Sequence, residues 1–156
     1  MTVGAWVVVA AVVLACGVGC LRAATDGRFR GRRRASSLPA DEARATDQPA
    51  EGTAWAQVRA ALPDAEAGGR ATLLQFSSAF CAPCRATRRV LSDVAAGIPG
   101  VVHVEVDAER HLELVRALRV TRTPTTVVLD AAGLEVSRAA GAPRKEQVLN
   151  AIAQAT

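Results

Sequence analysis

The chain of 156 residues reads as an α/β fold: a central sheet with helices on both faces, carried behind an N-terminal transmembrane helix and a basic linker. Three observations predict this. Residues 53–156 alternate helical and strand signals in the order α-β-α-β-α-β-β-α, the pattern of a sheet layered between helices. Residues 3–21 contain no charge, and at ~1.5 Å per residue they make about 28 Å of helix against a bilayer core of ~30 Å. Between these two parts the apolar periodicity stops. The expected organisation is a transmembrane helix over 1–21, a basic flank and flexible linker over 22–52, and a folded domain over 53–156.

The first segment is read as a retained span because Met1-Thr2 offers no basic n-region and no small-x-small site precedes a mature start, so a cleaved signal peptide fits poorly. Cys16 and Cys20 lie four apart on one face of that helix, where they serve as small apolar residues. Val13-Leu14-Ala15-Cys16 also fits a lipobox, against which Leu14 and the missing n-region count. Residues 22–34 carry six Arg and one Asp. Abutting the span, they read as the flank that sets membrane orientation and meets anionic lipid. Residues 35–52 mix Ala, Ser, Pro, Asp, Glu and Thr without period, and a flexible 22–52 tether has an r.m.s. reach of about 30 Å.

In the domain, Thr53 is expected to cap a helix whose stripe is Trp55, Val58 and Leu62, ended by Pro63. Residues 72–76 form a strand. A helix from Ala82 presents Ala86, Val90, Leu91 and Val94, and closes at Gly97 and Pro99. Residues 101–106 are β-branched and strand-like, and Asp107 is expected to cap the helix holding Leu114, Val115 and Leu118. Strands 125–129 and 134–138 flank the turn Asp130-Ala131-Ala132-Gly133. Pro143 opens a last helix carrying Val148, Leu149 and Ile152.

Composition narrows the function. Residues 1–35 hold net charge +5 and residues 36–156 net −1, so the excess positive charge is off the folded part. A nucleic-acid-binding domain carries its basic surface on the fold, and none is expected here. Arg outnumbers Lys 18 to 1, a codon-usage signature. Four Cys are too few for a disulfide-stapled scaffold.

Cys81-Ala82-Pro83-Cys84 follows a strand and opens a helix. Two Cys three apart on a first helical turn can close a small disulfide, and the helix N-terminus stabilises a thiolate at the first. Cys81 is then the attacking thiol and Cys84 the shielded resolving thiol. Arg85, Arg88 and Arg89 add positive potential or form a solvated face. Zinc or copper needs more soft ligands than one C-x-x-C and two scattered His provide, so no metal is expected. A purely structural bridge there constrains little chain.

These residues resemble the thioredoxin family. Phe76-Ser-Ser-Ala-Phe-Cys-Ala-Pro-Cys-Arg85 is similar to the family's active-site strand and elbow, with Phe80 where thioredoxins usually carry Trp and Ala82 where they carry Gly. Asp107 matches the Asp ending the next strand, Thr123-Pro124-Thr125 the cis-proline segment 43 residues after Cys81, and Gly141 the Gly near the substrate groove. The resemblance covers residues 53–156 and implies the thioredoxin fold, a central mixed sheet flanked by helices. It also implies a redox-active Cys81–Cys84 disulfide, with Ala82, Pro83, Thr123 and Pro124 shaping the groove for protein disulfide substrates. No organic cofactor is implied, and electrons come from a partner reductase. The family's buried Asp is Gln75 here and the Lys facing it is His103. His103 either relays the proton of Cys84 or forms a neutral buried pair with Gln75. His111 is expected at the surface.

The expected function is a membrane-tethered reductase of protein disulfides. Alternatives are an extracytoplasmic disulfide-exchange protein and a thioredoxin-fold binding module without turnover. With no Lys or Arg before residue 3 and six Arg after the span, the positive-inside rule puts the domain in the cytoplasm.

Overall fold

The structure, a computed structural model, describes residues 3–25, 27–31 and 52–155. Its elements in chain order are α1 (Val3–Thr25), β1 (Phe29–Gly31), α2 (Ala54–Ala61), β2 (Ala71–Ser77), α3 (Ala82–Gly97), β3 (Val101–Asp107), α4 (Leu112–Ala117), β4 (Thr125–Asp130), β5 (Glu135–Ala140) and α5 (Lys145–Ala153). From α2 onward this is the predicted alternation. The five strands form one mixed sheet in the order β1-β5-β4-β2-β3. β2 and β3 run parallel, from Ala71 opposite Val101 to Ser77 opposite Asp107, and the other pairs are antiparallel.

All seven residues of β2 are buried, because helices cover both faces of the sheet and leave no solvent side for alternation. Successive side chains still point to opposite faces. Leu74 and Phe76 pack with Trp55, Val58, Val106, Leu114, Leu118, Val127 and Leu129 on the α2/α4 side. Leu73 packs with Leu91, Val94, Val128, Val148, Ala151 and Ile152 on the α3/α5 side. Gln75 and Ser77 share the parity of Leu73, which puts two polar side chains under α3.

Two of the four domain helices, α2 and α3, start as the sequence predicts. Pro143, expected to open the last helix, lies two residues before α5, whose N-cap is Arg144 with its amide donating to Gln147 Oε1. Thr53 accepts the Ala56 amide at 3.1 Å and caps α2. The buried stripe of α3 is Cys84, Thr87, Leu91 and Val94. Ala86 is exposed, because the stripe continues from Cys84 at helical spacing and Thr87 takes the buried turn. Asp107 does not cap α4. Its Oδ1 accepts the Glu109 amide at 2.9 Å in a local turn, and α4 begins five residues later with half-buried His111 at its N-cap. In α5 the buried residues are Val148, Ala151 and Ile152, whereas Leu149 is exposed, one step off the inward face. Gly133 closes the β4–β5 turn at φ +76°, where a Cβ would lie 2.5 Å from the Cβ of Trp55.

Residues 3–21, expected as a transmembrane helix, are helical within the 23-residue α1. Among the described residues no helix is long and apolar enough to cross a membrane; side chains of α1 are described over 6–21. The expected linker is corrected in one place. Phe29–Gly31 is an edge strand, Phe29 opposite Ala139 and Gly31 opposite Ser137. Residues 32–51, with Arg32, Arg33 and Arg34 of the flank, lie outside the described residues.

Candidate active site

β2 ends at Ser77 and α3 starts at Ala82, so the intervening elbow sets Cys81 at the N-cap of a 16-residue helix with Pro83 in its first turn. Pro is suited there, since its fixed φ matches the helix and its missing N–H would have no intrahelical acceptor. Cys81 and Cys84 are joined by a disulfide with Cα atoms 5.2 Å apart. The two sulfurs are not equivalent. Cys84 is 2% exposed, which leaves half-buried Cys81 as the sulfur a second protein can reach. Cys81 Sγ accepts the backbone N–H of Cys84 at 3.1 Å. When the bridge is reduced, a thiolate at Cys81 gains a charge-assisted hydrogen bond and the positive end of α3, the two effects that lower a cysteine pKa.

Two loops meet at this end of the sheet. The Thr123–Pro124 bond is cis and directly precedes β4. Pro124 carbonyl accepts the Gly141 amide at 2.8 Å, and Gly141 adopts φ +98°, so the end of β5 braces the proline loop. Thr123 Oγ1 lies 3.3 Å from Ser78 Oγ, joining that loop to the elbow. Ala82 and Pro83 are exposed. Phe80, just before Cys81, is 98% exposed.

Beneath the site runs a chain of polar groups. Gln75, fully buried, donates through Nε2 to Ser77 Oγ and to the Cys84 carbonyl, both at 3.0 Å. Its Oε1 is 3.1 Å from His103 Nε2, and an amide oxygen only accepts, so His103 carries its proton on Nε2. His103 Nδ1, 3.0 Å from Ser92 Oγ, then accepts the serine hydroxyl. The imidazole is held at both nitrogens. Burial pushes its pKa down; Glu105 pulls it up and Arg88 down, and the net is below the usual value. Glu105, opposite Gln75 in the parallel register, accepts from Ser77 Oγ and pairs with Arg88 at 2.6 Å. Burial raises the Glu105 pKa, but hydrogen bonds from Arg88 and Ser77 outweigh it and hold the carboxyl below its usual value.

A cleft of about 380 Å³ opens beside the disulfide, lined by Ser77, Ser78, Cys81, Cys84, Arg88 and Glu105 among others. Its chemistry is that of a cysteine pair with one accessible sulfur.

A family model of the thioredoxin-like domain matches residues 58–156. The chain belongs to that family. Over 89 residues it is 32% identical to an H-type thioredoxin of Fagopyrum esculentum, covering 57% of this chain and 75% of that protein. The solved thioredoxin of Fasciola hepatica aligns with a TM-score of 0.51 at 29% identity, covering 57% of this chain and 84% of that one. The thioredoxin of Nicotiana alata, with a TM-score of 0.52 at 22% identity over 65% of this chain and 84% of that one, shares the fold. The protein is thus a thioredoxin-like oxidoreductase with Cys81 and Cys84 as its disulfide pair.

Cys81, Ala82, Pro83 and Cys84 form the start of α3, and Thr123 of the cis-proline loop meets the elbow before them through Ser78. Gln75 and His103 meet each other, and Gln75 stands between the imidazole and Cys84. Sequence reasoning missed Ser77 and Glu105. The period-two parity of β2 and β3 carries that signal: Gln75 and Ser77 share one face, as do His103 and Glu105. Among the described residues no group of three or more His, Cys, Asp or Glu is placed to hold a metal.

Proposed function

We propose that this thioredoxin-like protein is a membrane-tethered reductase of protein disulfides. The observation that carries the reading is the inequality of the two sulfurs: Cys81 is reachable at a helix N-terminus, and Cys84 is buried behind it. In the dithiol form the Cys81 thiolate attacks a substrate disulfide and forms a mixed disulfide, and one substrate thiolate leaves. Cys84 then gives up its proton and attacks the Cys81 sulfur, which releases the second substrate thiolate and closes the Cys81–Cys84 bridge. Two electrons and two protons pass to the substrate, and a partner reductase returns them. Thr123, Pro124, Ala82 and Pro83 shape the groove. Reduction of insulin by the full chain with dithiothreitol tests this. Turnover that disappears in Cys81→Ser supports it; no turnover in the parent favours a binding module.

The tether is supported by the sequence of α1, nineteen consecutive uncharged residues from 3 to 21, and by its helical form. A helix that is apolar all round needs an apolar surrounding. The Arg flank after it, at about 1 kcal/mol per residue near an anionic surface, holds that end at the cytoplasmic leaflet and the domain with it. There the pool is reducing, and Cys81 and Cys84 rest as thiols. A membrane-impermeant maleimide added to intact cells leaves Cys81 unlabelled on this reading and labels it if the domain is outside.

A further inference from the structure

Three residues separate Thr25, the last of α1, from Phe29, the first of β1, and Gly27 among them is already bonded to the domain. The Gly27 amide donates to the Ala140 carbonyl at 2.9 Å. Gly27 is buried at φ +72°, and a Cβ there would lie 2.1 Å from the Ala142 carbonyl oxygen, so both the backbone and the close approach require glycine.

The direction of β1 decides where α1 joins. β1 is antiparallel to β5, which is antiparallel to β4, which is antiparallel to β2. The start of β1 therefore lies at the same end of the sheet as the end of β5, the start of β4 and the end of β2. That is the end bearing Gly141, the cis-proline loop and Cys81. Ala140 is opposite Thr125, and Thr125 is opposite Phe76. At ~4.8 Å between strands, Gly27 beside Ala140 is about 10 Å from Thr125 and about 15 Å from Phe76. Thr25 is two residues before Gly27, at most ~7 Å of chain. A tether joined at the opposite end of the sheet would swing the disulfide outward; this one joins at the catalytic end.

We infer that the redox site faces the bilayer and that its substrates are protein disulfides held within ~20 Å of the membrane surface. This rests on the reading of α1 as a membrane anchor. The exposed side chains at that end suit the setting: Phe80 beside Cys81 is an exposed apolar ring of the kind that buries at the headgroup/acyl boundary, and Arg28 and Arg85 are exposed cations that suit an anionic surface.

The test uses the full chain in liposomes with dithiothreitol as electron source. Two single-span substrates carry the same disulfide, one close above the bilayer and one on a stalk of about 40 Gly/Ser residues, roughly 35 Å in r.m.s. length. Insulin is the soluble control. The proximal disulfide should be reduced on the order of tenfold faster than the distal one, as a gain in effective concentration. A ten-residue Gly/Ser spacer inserted between Asp26 and Gly27 should bring that ratio towards one and leave insulin turnover unchanged. A ratio near one in the parent, or one that survives the spacer, overturns the orientation while the anchor stands. Extraction of the chain from the liposomes by alkaline carbonate overturns the anchor and the orientation together.

Discussion

The side-chain amide of Gln75 donates to the backbone carbonyl of Cys84 at 3.0 Å, and its oxygen pairs with His103 at 3.1 Å. A neutral amide therefore occupies the space beneath Cys84, and the His103 imidazole is one side chain further away. The group holds the first turn of α3 against β2 without any change of charge.

Gln75→Leu should cost about 2–3 kcal/mol, because it leaves the His103 Nε2–H without its acceptor and removes the bonds to Ser77 Oγ and to the Cys84 carbonyl. Denaturant unfolding with an unchanged m-value would read that loss as a shift in midpoint. A shift worth under ~0.5 kcal/mol would show that the three hydrogen bonds are replaced by water.

The lowered His103 pKa makes stability pH-dependent in one direction. Between the folded pKa and the unfolded value of 6.5, the unfolded chain binds more protons, so stability falls as the pH drops below ~6.5 and is flat above it. Melting temperature across pH 5–8 should show this slope, and His103→Gln should flatten it. Turnover over the same range should show no step that His103→Gln removes. A step lost in that variant would make His103 a proton relay.

Glu105 works with the same sign at lower pH. Its folded pKa lies below the unfolded value of 4.5, so its contribution is present above that value and is lost as the pH falls through the folded one. Acid unfolding of Glu105→Gln should lack that component. Identical acid midpoints in the two proteins would contradict the pairing with Arg88 and Ser77.

Gly133→Ala should destabilise the domain by about 1–3 kcal/mol through its positive φ. The new Cβ would also push on Trp55, at the start of α2, from 2.5 Å. Thermal melting checks this, and an unshifted transition would mean the turn relaxes freely.

The element order and the pairing of Cys81 with Cys84 were legible because they rest on local signals. These are apolar period, turn residues, and two thiols placed on a first helical turn. What was not legible depends on pairing. Phe29-Arg-Gly31 sits in an Arg-rich stretch with no strand signature, and becomes a strand because β5 offers an open edge, a case of context overriding propensity. Asp107 looks like a helix cap until its side chain is seen to close a turn onto Glu109. Glu105 joins the network under α3 only once the register opposite Gln75 is known.

The division of labour between Cys81 and Cys84 is tested most directly by mixing the reduced Cys84→Ser variant with a protein disulfide substrate and resolving the products without reductant. With Cys81 attacking and no thiol to resolve, a covalent adduct through Cys81 should accumulate and dissolve on adding dithiothreitol. Cys81→Ser should give no adduct. Normal turnover by Cys84→Ser, or an adduct formed through Cys84 in Cys81→Ser, would contradict the assigned roles.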